Sequence, residues 1–256
     1  MAAKHPFLDH PTPLAIAHRG GSLEAEENTL PAFAHAVGLG YSHVELDVRA
    51  TRDGTVVVHH DPTLARMFGD PRAVADLTWA ELSLVRSPGG AGVPLLAEVL
   101  ESWPDLFVNI EPKSDDVVEP LAALIRQAGA LERIAVGSFS GARIARLGAL
   151  LGPGLCRSPD WHGVLRVRLA GLGLPLGAPD AQVLQVPPRW HRVPVVVPGF
   201  VRAAHQMGLP VQVWTVNEAP EMDRLLDLGV DAIMTDRPSL LLDILRRRAG
   251  QFRLRT

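Results

Sequence analysis

Eight short apolar runs, each followed by a polar turn and several by an amphipathic stretch, limit most strongly what this chain can fold into. The runs are LAIAH (14–18), HVELDV (43–48), LFVNIE (106–111), RIAVGSF (133–139), GLCRS (154–158), AQVLQV (181–186), PVQVWTV (210–216) and DAIMTD (231–236). Between them, NTLPAFAHAVGLG (28–40), VVEPLAALIRQAG (117–129), PGFVRAAHQMG (198–208), APEMDRLLDLG (219–229) and SLLLDILRRRAG (239–250) carry apolar residues at helical spacing. They end on glycine, as helices prefer. Strands alternating with helices, and no long linker, predict parallel βαβ units. No Gly-rich phosphate loop follows the first run, so a doubly wound sheet fits less well than a (β/α)8 TIM barrel. A chain of 256 residues accommodates one such domain over residues 1–256. One segment breaks the rhythm. Residues 53–93 hold a strand return, TVVVHH, and then irregular sequence, which reads as a short insertion after the second strand on the barrel rim.

Composition removes several function classes. A net charge of -3 gives no reason to expect nucleic acid or an anionic membrane as partner. The single cysteine, Cys156, excludes an internal disulfide and a cysteine-built zinc site. The opening residues MAAKHPFLDHPTP lack the apolar core of a secretory signal, and no apolar run is long enough to span a bilayer. The expected location is the cytoplasm. Oligomeric state is not legible.

The chemistry concentrates in VELDVRATRDGTVVVHHD (44–61). Strand side chains alternate, so Glu45 and Asp47 point to one face and Leu46 and Val48 to the other. Like charges side by side on a strand are costly unless something positive lies between them. In a barrel the functional groups gather at the C-terminal strand ends. Those ends supply His18 and Arg19 on the first strand, Glu45 and Asp47 on the second, and Glu111 and Lys113 on the third. Three acids on adjacent strands suit a hard cation such as Mg²⁺ or Ca²⁺. The alternative is a set of salt bridges to Arg19, Arg49 and Lys113. Arg19 and Lys113 beside such an ion suit a phosphate ester. His59 alternates away from His60, which leaves His18 and His60 as the imidazoles beside the charged cluster. A pair of that kind suits a general base and a general acid.

Seven motifs in order, HRG (18–20), ENTLPAF (27–33), ELDV (45–48), the DG…HD run (53–61), EPK (111–113), WTVN (214–217) and TDRP (235–238), resemble the glycerophosphodiester phosphodiesterases. The likeness covers the chain from Leu14 to about Leu245. It implies a (β/α)8 barrel that uses a divalent cation to hydrolyse glycerophosphodiesters to glycerol 3-phosphate and an alcohol. It also implies His18 and His60 as the catalytic pair, Glu45, Asp47 and Glu111 as metal ligands, and Arg19 and Lys113 as phosphate contacts. Glu27 is expected to hold Arg19 or a metal-bound water from behind. Trp214 resembles the family's aromatic wall, and a core tryptophan is the other reading of it. Glu26 stands where a proline commonly precedes ENT, which leaves that loop's shape open. Two rivals are a lysophospholipase D or sphingomyelinase D-like phosphodiesterase on the same scaffold and a non-catalytic barrel that binds phosphate esters. The first would want an apolar rim, and no such loop stands out in the sequence.

Overall fold

A computed structural model describes residues 5–253. Its strands, in chain order, are β1 (Leu14–His18), β2 (His43–Ala50), β3 (Val56–Val58), β4 (Phe107–Pro112), β5 (Ile134–Val136) and β6 (Cys156–Arg157). There follow β7 (Leu184–Val186), β8 (Arg189–Trp190), β9 (Val193–Pro194), β10 (Val211–Val213) and β11 (Ala232–Thr235). Each of the eight expected runs forms a strand of one curled sheet, in the order β6-β5-β4-β2-β1-β11-β10-β7, and all neighbours along it are parallel. The two end strands approach where Gln182 N donates to Arg157 O at 3.0 Å and Arg157 N donates to Gln182 Oε1 at 3.1 Å. These bonds join the rim into a (β/α)8 barrel. Among the described residues no helix is long and apolar enough to cross a membrane.

Apolar side chains facing outward from the strands pack against the helices in two large clusters. One gathers β2, β4 and β5 residues such as Leu46, Val108 and Ile110; the other gathers Val186, Val211, Val213 and Ile233. Inside the barrel, polar amides span the lumen: Gln185 Nε2 donates to Asn109 Oδ1 at 2.8 Å and to Gln212 Oε1 at 3.0 Å. Buried amides must be paired, and here they tie β7 to its neighbour β10 and, across the barrel, to β4.

The insertion begins as a hairpin. β3 folds back antiparallel on the outer end of β2, with Val48 opposite Val58 and Ala50 opposite Val56, around a turn at Asp53–Gly54. Short helices α1 (Leu30–Gly38), after β1, and α2 (Ala65–Phe68) and α3 (Trp79–Leu82), within the insertion, follow in chain order. A separate cluster of Val57, Leu64, Val74, Leu77, Leu82 and Val93 fills the insertion's own base.

At the opposite end of the barrel, the segment before β1 plugs the floor. His43 is fully buried, stacks on Phe107 at 4.7 Å, and meets the edges of Phe7 and His10. Its Nε2 donates to Phe7 O at 3.2 Å, and its Nδ1 accepts from Ser42 Oγ at 2.9 Å. Burial pushes this imidazole down to about 3, with the neighbouring His10 adding to the effect against the Phe7 hydrogen bond. Between about pH 3 and 6.5 the unfolded chain therefore binds a proton that the folded chain refuses. Stability from this group is complete above pH 6.5 and falls as acid is added. In urea titrations between pH 7 and 4, wild type should lose up to about 1.4 kcal/mol per pH unit more than His43→Gln. Parallel curves for the two proteins would contradict a neutral His43.

Candidate active site

Strand register builds the mouth. Pairing of β1 with β2 sets His18 beside Glu45, and pairing of β2 with β4 sets Glu45 beside Asn109 and Asp47 beside Glu111. Neighbouring strands lie about 4.8 Å apart, so the acids cannot avoid one another. Glu45, Asp47 and Glu111 each offer an oxygen within 4.8 Å of the others. Burial pushes Glu45 up to about 7; His18 and Arg19 oppose this, while the charges of Asp47 and Glu111 add to it. For Asp47 burial acts upward too, but Arg19 and Lys113 outweigh it and hold the group below its ordinary value.

The basic groups divide unevenly among the acids. Arg19 Nε lies 3.0 Å from Asp47 Oδ2, and Lys113 Nζ lies 3.3 Å from Asp47 Oδ1 and 3.2 Å from Glu111 Oε2. Asn28 Nδ2 donates to Asp47 Oδ2 at 2.9 Å. Arg49 takes no part, because its Nε donates to the His60 carbonyl at 3.0 Å. Among the described residues, Glu45 accepts a hydrogen bond from the Arg19 backbone N–H alone, at 3.2 Å, and faces His18 Nε2 at 3.6 Å. Salt bridges thus answer part of the acids' charge, while the nearest cationic partner of Glu45 is the His18 imidazole rather than a guanidinium or ammonium group. An all-oxygen cluster with one under-neutralised carboxylate fits a hard divalent ion such as Mg²⁺ or Ca²⁺.

The two imidazoles are mounted alike. His18 Nδ1 donates to Asp236 Oδ1 at 2.7 Å, and His60 Nδ1 donates to Asp61 Oδ1 at 2.6 Å. An ionised carboxylate only accepts, so each ring keeps its Nδ1 proton and leaves Nε2 for other partners. Burial pulls the His18 imidazole down, yet Glu45 and Asp236 outweigh it and hold it above its ordinary value. Asp236 is held to about 2: burial acts upward, and the His18 bond is the main opposing contact. Asn217 supports Asp236 from behind, donating Nδ2 to Oδ2 at 2.7 Å. His60 reaches the mouth because the hairpin returns it alongside Asp47, whose carbonyl accepts His59 N at 2.9 Å. His59 itself turns into the insertion, where its Nε2 donates to Thr63 O at 3.0 Å.

The loop after β1 is tightly specified. Arg19 has φ of 53° and Gly20 of 81°, and a Cβ on Gly20 would lie 2.7 Å from Ala32 of α1. This flat approach aims Arg19 into the acids, and Glu27 Oε1 accepts from Arg19 Nη1 at 3.1 Å. Glu26 uses its unusual position to tie the loop to the insertion, accepting from Ser87 Oγ at 2.7 Å and Gly89 N at 3.1 Å.

Trp214, at the end of β10, packs one side against the cluster of Ile16, Ala232 and Met234. Its ring also meets the edge of Phe139, which follows β5, at 5.4 Å. It is partly buried, a core residue on one face and in contact with Phe139 on the other. Asp236, Asn217, Asp61 and Asn28 were given no role from the sequence. Strand register is the signal for Asp236, since Ala17 pairs with Thr235 and the next residues on the two strands are His18 and Asp236.

By architecture this is a parallel barrel with acids and carboxylate-mounted imidazoles gathered at one mouth. Residues 18–145 and 161–240 match the glycerophosphoryl diester phosphodiesterase family, and the chain belongs to it. It is 38% identical over 248 residues to the Mycobacterium tuberculosis protein named "Probable glycerophosphodiester phosphodiesterase 2", covering 93% of each chain. It is 31% identical over 257 residues to the glycerophosphodiester phosphodiesterase of Caldanaerobacter subterraneus subsp. tengcongensis, covering 91% of this chain and 98% of that one. The crystal structure of the glycerophosphodiester phosphodiesterase from Agrobacterium tumefaciens superposes with a TM-score of 0.77 at 28% identity, over 91% of this chain and 99% of the other.

Calorimetric titration tests the acid cluster directly. Saturating Mg²⁺ or Ca²⁺ should stabilise the wild type by about 2.7 kcal/mol at a hundred times its Kd. Asp47→Asn should weaken binding at least about tenfold, as expected when a ligand or its support is lost. A melting curve indifferent to both cations would remove the metal from this site.

Proposed function

We propose that this chain hydrolyses glycerophosphodiesters to glycerol 3-phosphate and an alcohol, with the cytoplasm as its setting. The observation that carries the reading is the pair of imidazoles, each fixed at Nδ1 by a carboxylate and set around three converging acids. Membership of the family and the names of its relatives from Mycobacterium tuberculosis and Caldanaerobacter support it.

In this reading Glu45, Asp47 and Glu111 hold the divalent cation. When bound, the ion neutralises phosphate charge and polarises the phosphoryl group. Arg19 and Lys113 contact the non-bridging phosphate oxygens; the guanidinium supplies a planar fork and the ammonium a point charge. His18 Nε2 takes a proton from the attacking water as its oxygen bonds to phosphorus. His60 Nε2 gives a proton to the leaving alcohol as the P–O bond breaks. Asp236 and Asp61 keep each ring in the tautomer and orientation that this exchange requires. Trp214 forms a wall beside the glycerol or the alcohol.

Incubation with glycerophosphocholine should release glycerol 3-phosphate, and EDTA should stop the release. His18→Ala and His60→Ala should each lower kcat by about 10²- to 10⁴-fold while cation binding by calorimetry is retained. Turnover surviving in both variants would discard the acid–base scheme. A protein that binds the diester without product would instead be a non-catalytic barrel.

One structural finding favours a second reading, a substrate whose glycerol carries an acyl chain. The sequence displays no obvious apolar rim, but exposed aromatic residues follow β5, β6 and β7. Phe139 is 60% exposed after β5, Trp161 61% exposed after β6, and Trp190 56% exposed after β7. Single exposed apolar residues are ordinary, but here three large aromatics follow three successive barrel strands at the end that carries the acids. On this reading choline is released from lysophosphatidylcholine, and Phe139→Ala lowers kcat/KM for that substrate about tenfold with glycerophosphocholine turnover unchanged. Equal effects on the two substrates would sink it.

A further inference from the structure

The geometry points to a role for Arg66: we propose that it is the positioning residue that fixes His60 and Arg19 together. This rests on the hydrolytic reading above. Arg66 lies in α2, in the insertion, away from the barrel strands. Its Nε donates to Asp61 Oδ2 at 2.6 Å, while its Nη1 and Nη2 donate to Glu27 Oε2 at 3.0 Å and Oε1 at 2.6 Å. The other Asp61 oxygen accepts from His60 Nδ1, and Glu27 Oε1 also accepts from Arg19 Nη1. One continuous chain of charged contacts therefore runs from His60 through Asp61, Arg66 and Glu27 to Arg19.

A planar guanidinium suits this place because it presents two edges, each matched to a carboxylate. Lysine has one point charge and cannot serve both in that geometry. The arginine is held from a firm base: Leu64, two residues before it, is fully buried in the insertion's cluster, and Leu64 N donates to Arg72 O at 3.0 Å. The Arg66 side chain is itself 48% exposed, so its removal costs the core little. Two rim loops, one following β1 and the other following β3, are thus clasped at a single point. The insertion becomes part of the site's machinery rather than an ornament of the rim.

Kinetics on glycerophosphocholine separate this role from a merely structural one. Asp61→Asn should lower kcat and leave KM near the wild-type value, because it loosens the proton donor. Glu27→Gln should raise KM with a small change in kcat, because it loosens the phosphate-binding arginine. Arg66→Met should do both, lowering kcat about 10- to 100-fold and raising KM severalfold, with an unchanged melting temperature. Arg66→Lys should restore one parameter at most. The double variant Asp61→Asn with Arg66→Met should have the kcat of the worse single variant. Values for Arg66→Met within twofold of wild type, or kcat losses that multiply in the double variant, would overturn the proposal. If the wild type cleaves no glycerophosphodiester, the functional reading fails on its own terms. The clasp is then decided by the ¹⁵N–¹H signal of Arg66 Nε, which should be shifted and protected in wild type and ordinary in Asp61→Asn. An ordinary signal in wild type would refute it.

Discussion

Three carboxylates brought within 4.8 Å of one another at the end of a barrel create a debt of positive charge that the surrounding residues are arranged to meet. Two unit charges 4 Å apart cost or gain about 4 kcal/mol at an effective dielectric of 20, which is comparable with a large part of a domain's net stability. The mouth answers with Lys113, with Arg19, with the amide of Asn28 and with a backbone N–H. Asp47 receives most of this help and stays ionised. Glu45 receives least and is driven up to about 7 by burial and its acidic neighbours. That asymmetry leaves the cluster with geometry and charge that could hold a cation.

The rest of the mouth takes its form from the same demand. Arg19 meets Asp47 only because the chain turns through a left-handed pair at Arg19 and Gly20, pressed flat on α1. Glu27 then steadies the arginine, and Arg66 steadies Glu27 together with Asp61. Polar anchoring thus spreads outward from the acids in successive layers, each satisfying the hydrogen-bonding capacity of the one before. Beneath them, the amides of Asn109, Gln185 and Gln212 brace the lumen. The opening also has an apolar element, where Trp214 and Phe139 meet edge to face. A charged sector together with an apolar element is what a ligand with an ionic centre and a less polar remainder would match.

Residue alternation and helical spacing are local properties, so the eight strands, the helices between them and the pairing of Glu45 with Asp47 on one face could be read directly. Motif order added the family, and strand ends marked His18, Arg19, Glu111 and Lys113 as neighbours at the mouth. Register, seam and loop conformation are not local. Nothing in VELDV says that Asp47 will sit beside Glu111, or that Arg49 will turn from the acids to the His60 carbonyl. The mounts of the two histidines come from opposite situations: Asp61 is adjacent in sequence, while Asp236 lies 218 residues away and arrives only when β11 pairs with β1. Arg66 is hidden for the same reason, since one of its partners, Glu27, sits on another loop. Side-chain periodicity is written residue by residue, but the meeting of distant strand ends is set by how a twisted parallel sheet closes on itself.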